Sequence, residues 1–229
     1  MTLGIAIWDI ETGKTQWHKM PGPVNAVAFT NADEKTFVTG IGTIITVWNV
    51  ESIVAEEFLP CHSDVCSLGY SSDSRRIVAG HEDGSITVCD AQTLIPDKFK
   101  WKVHSGEVLN AVFIDRDKKI LSVAYDGTVL VTEIETGKKT KLHVDKDGVS
   151  AAAYARKKNW IVVGSYGGKV SVIDVGNGKT VFTEAFQESV LSVAISDTGS
   201  VLAVATGSEI DDTTRDSRNA VMKWWKLKE

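Results

Sequence analysis

Three groups of side chains have the types and spacing that chemistry would require. Cys61, His62 and Cys66 place two thiols and an imidazole close together, a beginning for a tetrahedral zinc set. A structural zinc site needs a fourth ligand, and no CxxC or HxxxH pair elsewhere supplies one. Alternation turns Cys66 and Cys89 toward the interior, where a small apolar residue is wanted. Gly164-Ser165-Tyr166-Gly167 lacks the glycine two places before the serine that a nucleophile elbow needs. Asp145-Lys146-Asp147-Gly148 has too few oxygen donors in phase for a calcium loop. No glycine-rich loop enters a helix, because no helical period is visible. The chain is therefore expected to have no catalytic residues, no metal ligands and no cofactor.

Surface chemistry is better represented. Tyr125 and Tyr166 stand just before Asp126-Gly127 and Gly167-Gly168, and tyrosine is enriched among interface anchors. Acidic candidates are Asp64, Glu82, Glu107 and Glu188, and basic candidates are Lys118, Lys119, Arg156, Lys157 and Lys158. Whether any of these act together depends on the elements that carry them.

Those elements are legible in residues 62 to 90, HSDVCSLGYSSDSRRIVAGHEDGSITVCD. Val65 to Tyr70 and Ser85 to Asp90 alternate apolar and polar, and Arg76 to Gly80 is nearly all apolar. Between them stand Ser72-Asp73-Ser74 and Glu82-Asp83-Gly84. Asp and Ser bond their own backbone and Gly accepts positive φ, so both are turns. Short period-2 runs bounded by such turns are antiparallel strands. One such unit cannot cover both of its faces and needs neighbours of its own kind.

The neighbours are in the chain. The third strand recurs as IAIWDIETGK, ITVWNVESI, ITVCDAQTL, VLVTEIETGK, VSVIDVGNGK and VMKWWKLKE. Its reference residues, Trp8, Trp48, Cys89, Thr132, Ile173 and Trp225, are separated by 40, 41, 43, 41 and 52 positions. A period near 40 with four short strands predicts a propeller array. On these residues the chain resembles the WD40-repeat family over essentially its whole length. The Trp-Asp pair is whole at Trp8-Asp9 and softened at Trp48-Asn49, Cys89-Asp90 and Ile173-Asp174. His62 and His104 stand for the family's Gly-His, and Asp83-Gly84 and Asp126-Gly127 match its tight turn. The resemblance implies an all-β propeller of four-stranded antiparallel blades. It also implies a network of Trp, Ser or Thr, His and Asp inside a blade. No blade here has all four, since Ser122, His104 and Asp126 sit beside Thr132 where Trp belongs. Packing must then hold most blades.

In order, the reading is a partial blade over 1–20, blades over 21–60, 61–100, 101–143 and 144–186, and a last blade over 187–229. An insert from Gly207 to Asn219 accounts for the final long spacing, and its polar, charged composition favours a disordered tip. The large rings of Trp101 and Trp160, near strand starts, are expected in the core. The strands number twenty-one, whereas a seven-bladed ring needs twenty-eight. At about ten residues per strand the difference is roughly 70 residues before Met1. A truncated or partial seven-bladed ring is expected, with a smaller, irregularly closed ring of five or six blades as the alternative.

Connections in an up-and-down blade alternate between two ends, so loops sort into two faces. One collects Asp64, Glu82, Glu107 and Glu188 with Tyr125 and Tyr166, and the other collects the basic candidates. The resemblance implies peptide docking on the first, where acidity would favour a basic segment. Each tyrosine is open to a second reading, in which the ring packs sideways on the next blade. The acidic residues are equally open to one as solvated turn residues. The basic loops lack interleaved aromatics, so tight binding of free nucleic acid is not expected, leaving RNA or phosphate contact inside a larger particle.

At 229 residues with 43% hydrophobic content and a net charge of -5, the chain is an ordinary globular protein. It has three cysteines, no apolar run near spanning length and no secretory signal. A reducing compartment, cytoplasm or nucleus, is expected, with no membrane. The function expected is that of a non-enzymatic scaffold for protein–protein contacts in a multiprotein complex. The alternatives are a ribonucleoprotein subunit and a propeller enzyme with its site in the central opening.

Overall fold

The computed structural model describes residues 4–30, 35–207 and 221–227. Most of the expected insert, residues 208–219, lies outside the described residues. Every described regular element is a strand. Contacts divide the chain into two compact units, Met1–Ile120 and Leu121–Glu229.

The first strands are β1 (Gly4–Trp8) and β2 (Thr15–Lys19), which form a two-stranded sheet. Then come β3 (Val24–Phe29), β4 (Thr36–Ile41), β5 (Ile44–Asn49) and β6 (Ala55–Pro60), a four-stranded antiparallel sheet in chain order. A second such sheet contains β7 (Val65–Tyr70), β8 (Arg76–His81), β9 (Ser85–Asp90) and β10 (Pro96–Lys102). A third has the order β11 (Val108–Ile114), β12 (Lys119–Ala124), β13 (Thr128–Glu133) and β14 (Lys139–Val144). A fourth has β15 (Val149–Ala155), β16 (Trp160–Ser165), β17 (Lys169–Asp174) and β18 (Thr180–Ala185). The last sheet has three strands, β19 (Val190–Ile195), β20 (Val201–Thr206) and β21 (Val221–Lys226). This is the all-β, four-stranded antiparallel architecture that the alternation predicts.

Burial follows strand position. The second strands β8, β12 and β16 are buried from their second residue onward, while the outer strands β2, β6 and β18 are mostly exposed. In the first unit Val38, Ile45, Val65 and Ile77 form one apolar cluster across two sheets. In the second unit Val162, Val172, Val190 and Leu202 do the same. Each such side chain contributes roughly 1.5–3 kcal/mol by leaving water. Sheet-to-sheet packing is therefore the main cohesive term in both units.

A repeated close approach sets the spacing between sheets. The strands β3, β7, β11, β15 and β19 all open on valine, and the fifth residue of β4, β8 and β16 is glycine. Val65 seats against Gly40, Val108 against Gly80 and Val190 against Gly164. Beside the last pair the Ser150 hydroxyl donates to the carbonyls of Gly164 (3.1 Å) and Val190 (2.6 Å). A missing β-carbon thus lets the first strand of one sheet enter the second strand of the sheet before it.

One expectation is corrected. Trp101 is buried, but it lies near the end of β10, paired with Ile86, rather than near a strand start. The register of this strand shifts between Pro96 and Lys100, and it runs on to Lys102 opposite Ser85. Trp160 does open β16, and it is only half-buried, with the Lys158 ammonium 5.0 Å from its ring centroid.

Candidate binding surface

The tyrosines owe their positions to tight turns. In the Tyr125 turn the Asp126 carboxylate accepts from the Thr128 N–H at 3.0 Å and from its hydroxyl at 2.6 Å. Gly127 and Gly168 have φ of 82° and 80°, which L side chains rarely adopt. A β-carbon on Gly127 would also strike the Asp145 carbonyl, and one on Gly168 the Phe186 carbonyl. The loops are therefore packed close to one another, and Tyr125 and Tyr166 are carried out at equivalent points of adjacent sheets.

There the two rings touch each other. Their centroids are 5.4 Å apart with planes at 52°, within the range of favourable aromatic pairs. Tyr125 nevertheless remains 51% exposed and Tyr166 43%. The two readings of these residues, sideways packing and open aromatic surface, each describe part of what is seen. The Ser189 hydroxyl donates to the Tyr166 carbonyl at 2.7 Å. The Glu188 carbonyl lies 2.7 Å from where a β-carbon on Gly168 would stand, and the Asp147 carboxylate crowds Gly167. Tyr125, Tyr166, Asp147 and Glu188 thus belong to one neighbourhood of the second unit.

The other acidic candidates meet in the first unit. Asp64 and Glu107 immediately precede β7 and β11, and Glu82 follows β8. The Glu82 N–H donates to the Asp64 carbonyl at 2.9 Å. All three carboxylates bear on the half-buried Cys66 thiol. Burial pushes that thiol up, and the hydrogen bond and charge of Glu107, with the charges of Glu82 and Asp64, push it further, to about 12. Its Sγ also lies 3.6 Å from the Asp64 carbonyl. The inward, inert role expected of Cys66 is thereby modified: the thiol lies beneath an acidic surface rather than deep in the core. Repeat phase groups Asp64, Glu82 and Glu107 on one face, but it gives no sign that the Cys66 thiol lies beneath them.

The His62 Nε2 lies 3.0 Å from the Asp83 carboxylate, and the Ser85 hydroxyl donates to that carboxylate at 2.6 Å. In the preceding sheet Trp48 Nε1 donates to Thr39 Oγ1 at 2.8 Å. The Thr132 hydroxyl, at the position of Trp48 in its own sheet, is buried with no partner among the described residues. The polar network is distributed in parts, a Trp–Thr pair in one sheet and a His–Asp–Ser set in the next. Among the described residues no group of three or more His, Cys, Asp or Glu side chains is placed to hold a metal ion.

The basic candidates are largely engaged. In the first unit Lys119 pairs with Asp115 at 2.9 Å, next to the exposed Lys118. In the second, Lys157 pairs with Asp197 at 3.7 Å, Lys158 lies over Trp160, and Arg156 is exposed. A phosphate at either place would compete with a carboxylate or an indole for these cations.

A family model described as "WD domain, G-beta repeat" matches residues 54–90. Among curated proteins, eukaryotic translation initiation factor 3 subunit I of Lodderomyces elongisporus is 25% identical over 71% of this chain and 53% of its own length. Protein tipD of Dictyostelium discoideum is 24% identical over 76% of this chain and 30% of its own. WD repeat-containing protein 55 of Arabidopsis thaliana is 25% identical over 54% and 35%. The chain spans about half the length, or less, of the curated relatives it matches.

Proposed function

We propose that this chain, which belongs to the WD40-repeat family, is a non-enzymatic scaffold that docks peptides or partner subunits within a multiprotein complex. The observation that carries the reading is the Tyr125–Tyr166 pair, two touching rings on neighbouring sheets that keep about half their surface open. Aromatic surface with the Asp147 carboxylate beside it suits a partner segment bearing both apolar and basic side chains. Asp64, Glu82 and Glu107 give the first unit a second acidic surface that would steer the same class of partner. One relative is, by its name, a subunit of a translation initiation factor, which supports membership of an assembly. No described helix is long and apolar enough to cross a membrane.

The test is purification of the tagged chain from its native cells at moderate salt, with companions quantified by mass spectrometry. Tyr125→Ala with Tyr166→Ala should remove a stoichiometric companion while leaving the melting temperature within a few degrees of the parent. An unchanged set of companions in that double variant and in Glu82→Lys with Glu107→Lys would remove the assignment of the site.

A further inference from the structure

We propose that the outer edge of β6 is a second docking site, taking an extended peptide segment rich in lysine or arginine as an added strand. The site lies in the first unit and does not depend on the Tyr125–Tyr166 reading.

Three features together mark this edge. The strand is outermost in its sheet, so one row of its backbone N–H and C=O groups has no strand neighbour among the described residues. Its sequence, AEEFLP, is almost wholly exposed, with Phe58 at 71%. Like β18 (TVFTEA) it has none of the lysines that guard β10 (PDKFKWK) and β14 (KTKLHV), and its own charges, Glu56 and Glu57, are acidic. Finally, β6 is flanked by cavities toward both ends. A cleft of about 610 Å³ includes Glu56 and Glu57 with Asp73, Arg75 and Asp90, and a smaller one of about 320 Å³ includes Leu59, Pro60 and Asp97.

Charge identifies the occupant. The larger cleft is lined by four carboxylates and one guanidinium. The Asp73 carboxylate accepts from the Ser71 hydroxyl and the Arg75 N–H, and Asp90 from the N–H groups of Gln92 and Thr93. These bonds hold both below the usual carboxylate range, so their charge persists. Glu56 and Glu57 project from the strand itself. A cationic side chain entering beside them meets a cleft whose carboxylates outnumber its one guanidinium, that of Arg75. A β6 edge from another copy would place glutamate opposite glutamate, which is unfavourable across a strand pair. Backbone pairing would supply affinity and the cleft would supply side-chain preference, the usual division in strand addition.

The probe is a fluorescein-labelled octapeptide of repeating Lys-Val-Lys-Thr, compared with its Glu-Val-Glu-Thr counterpart and with a lysine peptide carrying two central prolines. Binding to the whole chain is read by anisotropy, and protection of residues 55–60 by hydrogen exchange. The expected result is binding of the first peptide only, weakened at least tenfold by Glu56→Gln with Glu57→Gln, unaffected by the tyrosine substitutions, and accompanied by slower exchange in β6. The glutamines are isosteric and exposed, so the variant should melt with the parent. Equal affinity of parent and variant, equal binding of the proline peptide, or binding without protection of β6 overturns the proposal. A doubled light-scattering mass, with concentration-dependent protection of β6 in the absence of peptide, overturns it in favour of a second copy as occupant.

Discussion

The Cγ1 of Val108 lies 2.5 Å from the point where a β-carbon on Gly80 would stand. Val65 bears on Gly40 in the same way at 2.6 Å, and Val190 bears on Gly164. Gly80→Ala must push β11 outward or force Val108 off its rotamer, and overpacking of this kind costs about 1–3 kcal/mol. Urea denaturation should show that loss. Val108→Ala in the same background should return part of it, the remainder belonging to the Ser67 hydroxyl, which the new methyl also meets. Strictly additive losses in the double-mutant cycle would show that the contact does not set the sheet spacing.

Local information in the sequence sufficed for the strands. Val65–Tyr70 and Ser85–Asp90 stand in the structure at the ends that alternation and turn residues give them, because a period of two is a property of neighbours. The equivalence of Tyr125 and Tyr166 was legible from repeat phase, but their ring contact was not, since phase says nothing of loop-to-loop distance. The recurring first-strand valine and second-strand glycine were visible as letters, and only the structure makes them partners. Turns were legible where glycine marks them, as at Gly13, Gly137 and Gly178. At the same place in two other turns Ile53 and Leu94 take φ of 49° and 51°. There Asn49 and Asp90 accept from the next N–H groups of the turn, as Asp9 and Asp174 do in the Gly13 and Gly178 turns, so the turn is built alike with or without glycine.

Acid stability should report on Asp83. Burial pushes its carboxyl up, but the Ser85 hydroxyl and N–H and the neighbouring His62 outweigh that and hold it at about 2, below the ordinary 3.8. A carboxyl depressed on folding contributes stability that is present above its unfolded value and disappears as pH falls through the folded one. Between about pH 4 and pH 2, therefore, the parent should lose stability that Asp83→Asn never has. Urea midpoints measured across that range should converge as the pH falls. A gap that stays constant down to pH 2 would mean that the carboxylate contributes nothing through its charge.

Cys66 should react far more slowly than its exposure suggests. Burial first, then Glu107, Glu82 and Asp64, raise its thiol from the ordinary 9.0 to about 12. At pH 8 the thiolate fraction then falls about a thousandfold. The higher basicity of the remaining thiolate restores part of the rate, leaving roughly a fifty-fold deficit. Pulsed alkylation with iodoacetamide, read by peptide mass spectrometry, should give this deficit relative to a free cysteine peptide. Burial and charge can be separated at the same site. Glu107→Gln leaves the shape of the loop and removes one carboxylate, so it should speed alkylation of Cys66 without speeding that of the buried Cys89. If Cys66 is equally slow in that variant, burial rather than the Glu107 carboxylate protects it.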